Sequence, residues 1–242
     1  MSTHTILNTR PATQAAPLST ALTASGHQVI ELPCLNISAI EDSSAFEHAL
    51  SINYDYMLFV SQHAVTSLAP YWRPTTAKII AIGPSTQQAI HAIHKPTLVP
   101  SVFSSAGILA MDDMQHVQNK KILLVCGDHT NNPLAATLRG RGAIVDTLIT
   151  YRVTVPKIDI GAALTHCQQQ QVNLIISTSQ ASLKQLVQWF EPRDAQWLFQ
   201  QPVVVISRAL ANAAQQHGWK KNQIIQSPNA TTEAIVETIR TC

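Results

Sequence analysis

Ten short apolar runs, arranged as two sets of five, constrain this chain more than any other feature. They lie at 5–9, 28–32, 56–60, 78–82 and 96–100, and the pattern restarts at 121–125, 143–149, 172–176, 203–206 and 223–226. Nearly all are continuous apolar stretches rather than alternations, the mark of strands covered on both faces in a parallel sheet. Many are separated by segments with helical spacing. Leu18 and Leu22 stand four apart with Gly26 as a C-terminal stop, and Leu134, Leu138 and Gly142 repeat that arrangement 116 residues later. Strand and helix in alternation predict an α/β fold of doubly wound parallel sheets flanked by helices.

The repetition extends further. Ser61-Gln62 of "FVSQHAV" returns as Ser179-Gln180 of "STSQAS" 118 residues on, and Ile82 of "IIAIGPSTQQAI" matches Ile206 of "VVVISRALANAA" at an offset of 124. The segment from Pro100 is similarly matched by the one from Ser227. The order of matches is preserved and the offsets drift as loop insertions would make them, so the chain reads as two copies of one five-strand plan. Two similar lobes with a cleft between them are expected, and ligands of such sheets sit at the carboxyl ends of strands. Thr9, Arg10, Ser61, Gln62, Gly83, Ser85, Thr86, Thr178, Ser179, Gln180 and Ser207 all fall there. Their hydroxyls and the exposed N–H groups of the following helices suit a carboxylate or a phosphate. Helix capping explains any one of these Ser or Thr residues; their recurrence in both halves points to a site.

Composition removes several classes. With 45% hydrophobic but 12% charged residues the chain is a folding one, its polar surface drawn from Gln, Asn, Ser and Thr. Its 242 residues admit one large domain or two of ordinary size, and the repeat favours two. Lys plus Arg, 16, nearly balance Asp plus Glu, 14, and cluster no further than Lys120-Lys121 and Lys220-Lys221, so no nucleic-acid partner is expected. Cys34, Cys126, Cys167 and Cys242 have no C-x-x-C spacing and read as small buried hydrophobes or free thiols, and H-E-x-x-H is absent, so no metal is expected. His63 and His129 read as surface or helix-start residues. Neither a secretory leader nor a membrane span is evident, which implies a cytoplasmic protein with reduced thiols. Ser61 in "VSQHA" lacks the glycines of G-x-S-x-G, which argues against a hydrolase, and no G-x-G-x-x-G or phosphate-loop motif occurs. Composition and pattern alone stop at a two-lobed α/β protein that binds a small anion.

Longer stretches carry a resemblance. "NTRPATQAAPLSTALTASGHQVIELP", "YDYMLFVSQHAV", "IIAIGPSTQQAI", "LRGRGAIVDTLITYR" and "LIISTSQAS", in that order and spread nearly end to end, are similar to the uroporphyrinogen-III synthase family. The resemblance implies two interleaved flavodoxin-like lobes, each a five-stranded parallel sheet, joined by two connecting strands. The terminal lobe would be residues 1–35 with 155–242, the middle lobe 39–149, and the linkers about 36–38 and 150–154. It also implies a monomeric, cofactor-independent lyase that closes hydroxymethylbilane with inversion of ring D, and it allows a transient contact with hydroxymethylbilane synthase. The alternative is a two-lobed anion- or tetrapyrrole-binding protein without turnover.

The residue roles follow from the same resemblance. Loss of the ring-A hydroxyl gives an azafulvene that closes unaided to the unrearranged isomer, so the family's task is to hold a flexible polycarboxylate while ring D attacks through its substituted carbon. Tyr151 aligns with the tyrosine for which the family is known, and a phenol with a pKa of about 10 donates to the departing hydroxyl. Thr86 aligns with the threonine of the family's strand-Gly-x-x-Thr loop and, with Gly83 and Ser85, would meet substrate carboxylates. Ser61, Thr178 and Ser179 occupy matching strand ends, and Arg10 would be the charged partner. Two departures stand out. "ISRAL" puts Ser207 and Leu210 where many members have the Gly and Thr of a second Gly-Pro-x-Thr, and "CGDHTNN" puts Cys126 where a basic residue is common. That loop, Cys126 to Asn132, is given no role.

Overall fold

The computed structural model describes residues 3–128 and 133–241, so the expectations for His129, Cys242 and the second half of the "CGDHTNN" loop lie outside the described residues. Along the chain run β1 (Thr5–Asn8), α1 (Ala12–Ala24), β2 (Gln28–Glu31), β3 (Asn36–Ala39), α2 (Ser43–Ser51), β4 (Tyr56–Phe59) and α3 (Gln62–Leu68). Next come β5 (Lys78–Ala81), α4 (Pro84–His91), β6 (Thr97–Leu98), α5 (Ser105–Ala110), α6 (Asp112–Gln115), β7 (Lys121–Gly127), α7 (Pro133–Gly140) and β8 (Ile144–Thr154). The chain ends with α8 (Ile160–Gln169), β9 (Leu174–Ile176), α9 (Gln180–Gln200), β10 (Val203–Val205), α10 (Arg208–His217), β11 (Ile224–Gln226) and α11 (Thr232–Arg240). The chain divides into two compact units, Met1–Ile37 with Thr154–Cys242, and Ser38–Val153.

The first unit's sheet has the order β2-β1-β9-β10-β11, all in parallel. The second sheet runs β3-β8-β7-β4-β5-β6, with parallel pairing from β8 through β6. Matching β1 with β7, β2 with β8, β9 with β4, β10 with β5 and β11 with β6 makes the two five-strand orders identical. The sequence repeat is therefore a repeat in space, entered at a different strand in each unit. The helices that follow matching strands end alike. Gly26 (φ +89°) and Gly142 (φ +84°) adopt the left-handed conformation, and the next N–H reaches back five residues, His27 to the Leu22 carbonyl and Ala143 to that of Leu138, each at 3.1 Å.

One expectation needs correction: the second sheet has six strands, not five. The two joining segments are strands, as the resemblance implied, but both belong to this sheet: Asn36–Ala39 forms β3 along the outer edge of β8, and β8 itself continues through 150–154 to Thr154. The β3 segment has only one large apolar residue, Ile37, so its strand character is weak in sequence. It forms because the extended β8 leaves an edge of unpaired backbone groups, one of which, the Thr150 carbonyl, accepts from Ile40 N–H at 2.9 Å.

The continuous apolar runs are explained by burial on both faces. In the first unit Ile6, Leu174, Ile176 and Val204 join one core with Leu18 and Leu22 of α1 and Ile235 and Ile239 of α11. Their neighbours Leu7, Ile175, Val203 and Val205 join the opposite core with Leu183, Leu186 and Phe190 of α9. Alternate side chains go to opposite faces, so no polar residue is tolerated between them.

Candidate functional site

In the second unit the connection from β4 leaves toward β5 while that from β7 leaves toward β8, so a switch point lies at the carboxyl ends of β4 and β7, the place where open α/β sheets hold ligands. Ser61 follows β4, Asp128 follows β7, and Tyr151 sits on β8. The β7–β8 register shifts here: Cys126 faces Ile149, but Gly127 faces Tyr151. Thr150 is thus an extra residue in β8, a bulge that re-aims the side chain after it. The ring of Tyr151 packs over Gly127, where an added Cβ would stand 2.6 Å from Cε2 and Cζ, and its centroid lies 5.7 Å from that of His63 in the first turn of α3.

The phenol is only 6% exposed, and burial raises its pKa above the ordinary value. The Ser61 hydroxyl and the Gly127 backbone bond to it and pull the other way, while Cys126 and Asp128 add to the rise. Ser61 does two jobs, since its Oγ also caps α3 by accepting from Ala64 N–H at 3.1 Å. Burial lowers the pKa of His63, so its imidazole is neutral at pH 7. Asp128 ties down the strand around the tyrosine: its N–H donates to the Tyr151 carbonyl, and its carboxylate accepts from Val153 N–H, both at 3.0 Å.

Gly83, Ser85 and Thr86 lie at the carboxyl end of β5. Gly83 is the N-cap of α4 and brings no side chain to cap it, and Pro84 has no N–H, which leaves the Ser85 and Thr86 N–H groups without a side-chain cap. Thr86 is buried, Ser85 exposed and Gln62 half-buried. The matching helix of the first unit differs. Ser207 caps α10 by accepting from Leu210 N–H at 3.2 Å, and Leu210 is buried in the core. The substitution read in "ISRAL" therefore closes a helix end that stays open in α4.

The first unit has its own switch point, between β1 and β9. Thr9 is fully buried there and joins the two strand ends, its hydroxyl donating to the Ile176 carbonyl at 2.7 Å, so it does not face outward. Ser179 caps α9, accepting from Ser182 N–H at 3.0 Å, with Thr178 half-buried beside it and Gln180 exposed. Arg10 is half-buried, its Nε is buried without a hydrogen-bond partner, and it makes no ion pair with any described residue. Burial lowers its pKa. α1, which follows, has Pro11 as N-cap and no side-chain cap. Asn8, fully buried, holds this corner: Nδ2 donates to the Ala15 carbonyl and Ser19 Oγ, and Oδ1 accepts from Arg10 N–H.

Sequence reasoning missed Asn8, Asp128, the Thr150 bulge and the contact of His63 with Tyr151. Position alone could have found Asn8 and Asp128, which are polar residues ending or following β1 and β7; a bulge and a ring contact leave no such signal. The described cavities, one of about 500 Å³ lined by Lys78, His94 and Lys95, include none of the candidate residues. Among the described residues no group of three or more His, Cys, Asp or Glu could hold a metal, and no helix is long and apolar enough to cross a membrane. Cys34, Cys126 and Cys167 are buried.

Residues 16–237 match the family model described as uroporphyrinogen-III synthase HemD. A Proteus mirabilis protein named uroporphyrinogen-III synthase is 32% identical over 161 residues, covering 61% of this chain and 79% of that one. One of the same name from Escherichia coli (strain K12) is 25% identical over 250 residues, 97% and 99% of the two chains. Among solved structures, a mutant uroporphyrinogen III synthase of Thermus thermophilus superposes with a TM-score of 0.71 at 15% identity, covering 98% of this chain and 96% of that one. The Helicobacter pylori enzyme gives 0.59 at 13% identity, covering 98% and 99%. At those identities the solved structures speak for the fold.

Proposed function

The chain belongs to the uroporphyrinogen-III synthase family, and from that premise we propose that it closes hydroxymethylbilane to uroporphyrinogen III with inversion of ring D. We read each unit as a flavodoxin-like lobe, a reading supported by the shared strand order, which in the first unit is 2-1-3-4-5 counted along its own strands. Monomeric action in the cytoplasm, with the unstable bilane received from hydroxymethylbilane synthase, is part of the same proposal.

The observation that carries the chemistry is the phenol of Tyr151, buried at the switch point with its pKa raised. A proton donor must keep its proton through the working pH range, and burial ensures that here. Tyr151 donates a hydrogen bond to the ring-A hydroxyl as its C–O bond breaks. The hydroxyl takes the phenolic proton and leaves as water, the ring-A N–H proton returns to the phenolate, and the azafulvene remains, with the neutral His63 imidazole near the phenol. The substituted ring-D carbon then attacks, the spiro intermediate reopens, and reclosure at the other position releases the ring-D proton while the ring-A nitrogen takes one up, so the isomerisation is proton-neutral. The open ends of α4 and α1 suit the substrate's carboxylates, with Gly83, Ser85 and Thr86 at the first and Arg10 at the second. Ser61, Gln62, Thr178, Ser179, Gln180 and Ser207 shape those strand ends and hold their helices, and Thr9 acts from behind the surface.

The test is an assay in which hydroxymethylbilane is generated in situ, the purified protein is added without metal or nucleotide, and the oxidised porphyrin isomers are separated. Isomer III is expected. Isomer I at the spontaneous rate would leave a binding protein without turnover.

A further inference from the structure

The two most exposed large apolar side chains among the described residues are neighbours, Val102 at 62% and Phe103 at 61%. They lie in the loop from β6 to α5, at the same carboxyl end of the second sheet as Gly83 and Tyr151. Phe103 sits on Gly83: a Cβ added there would meet its Cβ, Cγ and Cδ1 at 3.3, 3.5 and 3.8 Å. The ring thus stands beside the uncapped N-terminus of α4 with most of its surface in water.

The loop that presents it is firmly tied. The Val102 carbonyl accepts from Ser104 N–H at 2.8 Å, and Ser104 Oγ caps α5 by accepting from Gly107 N–H at 3.0 Å. The same carbonyl packs against Gly107 so closely that a side chain there would collide with it. An aromatic side chain held outward by a rigid loop, next to backbone donors that no side chain caps, matches one ligand chemistry: a flat apolar ring bearing short carboxylate arms. A pyrrole with acetate and propionate substituents is that ligand.

We propose that Phe103 is a substrate-contacting residue that seats one pyrrole of the bilane. The pyrrole packs on the exposed face of the phenyl ring, and its carboxylates reach the N–H groups of Ser85 and Thr86. The contact works by position: a seated ring removes one source of freedom from a flexible tetrapyrrole whose free form closes to the wrong isomer. It rests on the function proposed above and adds a residue that the family resemblance did not supply.

The experiment compares wild type, Phe103→Ala and Phe103→Tyr in the isomer assay, with thermal melts of all three. Because the ring is exposed, the melts should coincide. Phe103→Ala should raise KM about tenfold, the factor for losing one aromatic contact, with kcat changed far less and isomer I enriched at low enzyme concentration. Phe103→Tyr should restore the wild-type KM. A KM for Phe103→Ala within twofold of wild type overturns the contact, and so does equal impairment of both variants, which would make the ring a prop for the Gly83 turn. In either case wild type still makes isomer III; failure of wild type to make it would overturn the underlying function instead.

Discussion

The ring of Tyr151 occupies the space that a side chain on Gly127 would need: a Cβ there would stand 2.6 Å from two ring carbons and 3.0 Å from the phenol oxygen. Gly127 is therefore part of what aims the phenol. Gly127→Ala should push the ring off its place, cutting kcat by about 10-fold or more for a displacement of about 1 Å. Overpacking should also cost about 1–3 kcal/mol of stability. Steady-state kinetics and a urea melt on the one variant check both numbers.

Arg10 is the half-buried cation of the first unit whose Nε lacks a partner. Arg10→Gln should raise KM by about 10- to 30-fold, as expected for losing a charge-assisted bond to a carboxylate, with kcat nearly unchanged. The shift should shrink as salt rises, and a KM insensitive to the substitution would remove Arg10 from substrate binding.

The strands and the two helix stops were legible because each depends on local pattern: Ile6 and Leu7 must both be apolar when both faces are covered, and Gly26 and Gly142 must bear positive φ. The strand at Asn36–Ala39 was expected from the family resemblance alone, and its place in the second sheet was not, because only the edge of β8 makes a strand of that segment. The strand-end hydroxyls were legible as a class, yet what each does depends on a partner far along the chain. Thr9 turns inward to Ile176, 167 residues away, while Ser61 serves both its own helix and Tyr151. The bulge at Thr150 arises from the pairing of two strands and has no signature in either one.

His27 is buried, and its Nδ1 accepts from His4 N–H at 3.2 Å. Burial, His4 and Arg240 lower its pKa, so the folded state resists protonation while the unfolded chain takes a proton near the ordinary value of about 6.5. The unfolded state then binds more protons as pH falls below about 6.5, and stability drops with it. Urea melts from pH 7.5 to 5 should show that fall and a shallower one for His27→Phe; parallel curves for the two proteins would contradict it.

Gln171, just past the C-cap of α8, has φ +55°, a left-handed conformation unfavourable for a side chain. Gln171→Gly should stabilise the protein by about 0.5–1 kcal/mol, the left-handed strain relieved less the entropy cost of glycine. Gly26→Ala, at φ +89° with nothing within 4 Å to clash, should lose about 1 kcal/mol from conformation alone. Thermal melts of the pair should move in opposite directions.

Donation from Tyr151 to the departing hydroxyl is the step on which the proposed chemistry depends, and kcat of Tyr151→Phe in the isomer assay, beside wild type, tests it. The substitution keeps the ring that packs on Gly127 and His63 and removes the hydroxyl, both as donor and as partner of Ser61 and the Gly127 backbone. Folding is expected to be retained with a loss of about 1–3 kcal/mol from the unpaired Ser61 and Gly127 groups, isomer III still forms, and kcat falls by about 100-fold, the low end of what one proton donor contributes. An unchanged kcat would contradict donation and leave Tyr151 as a packing residue at the switch point.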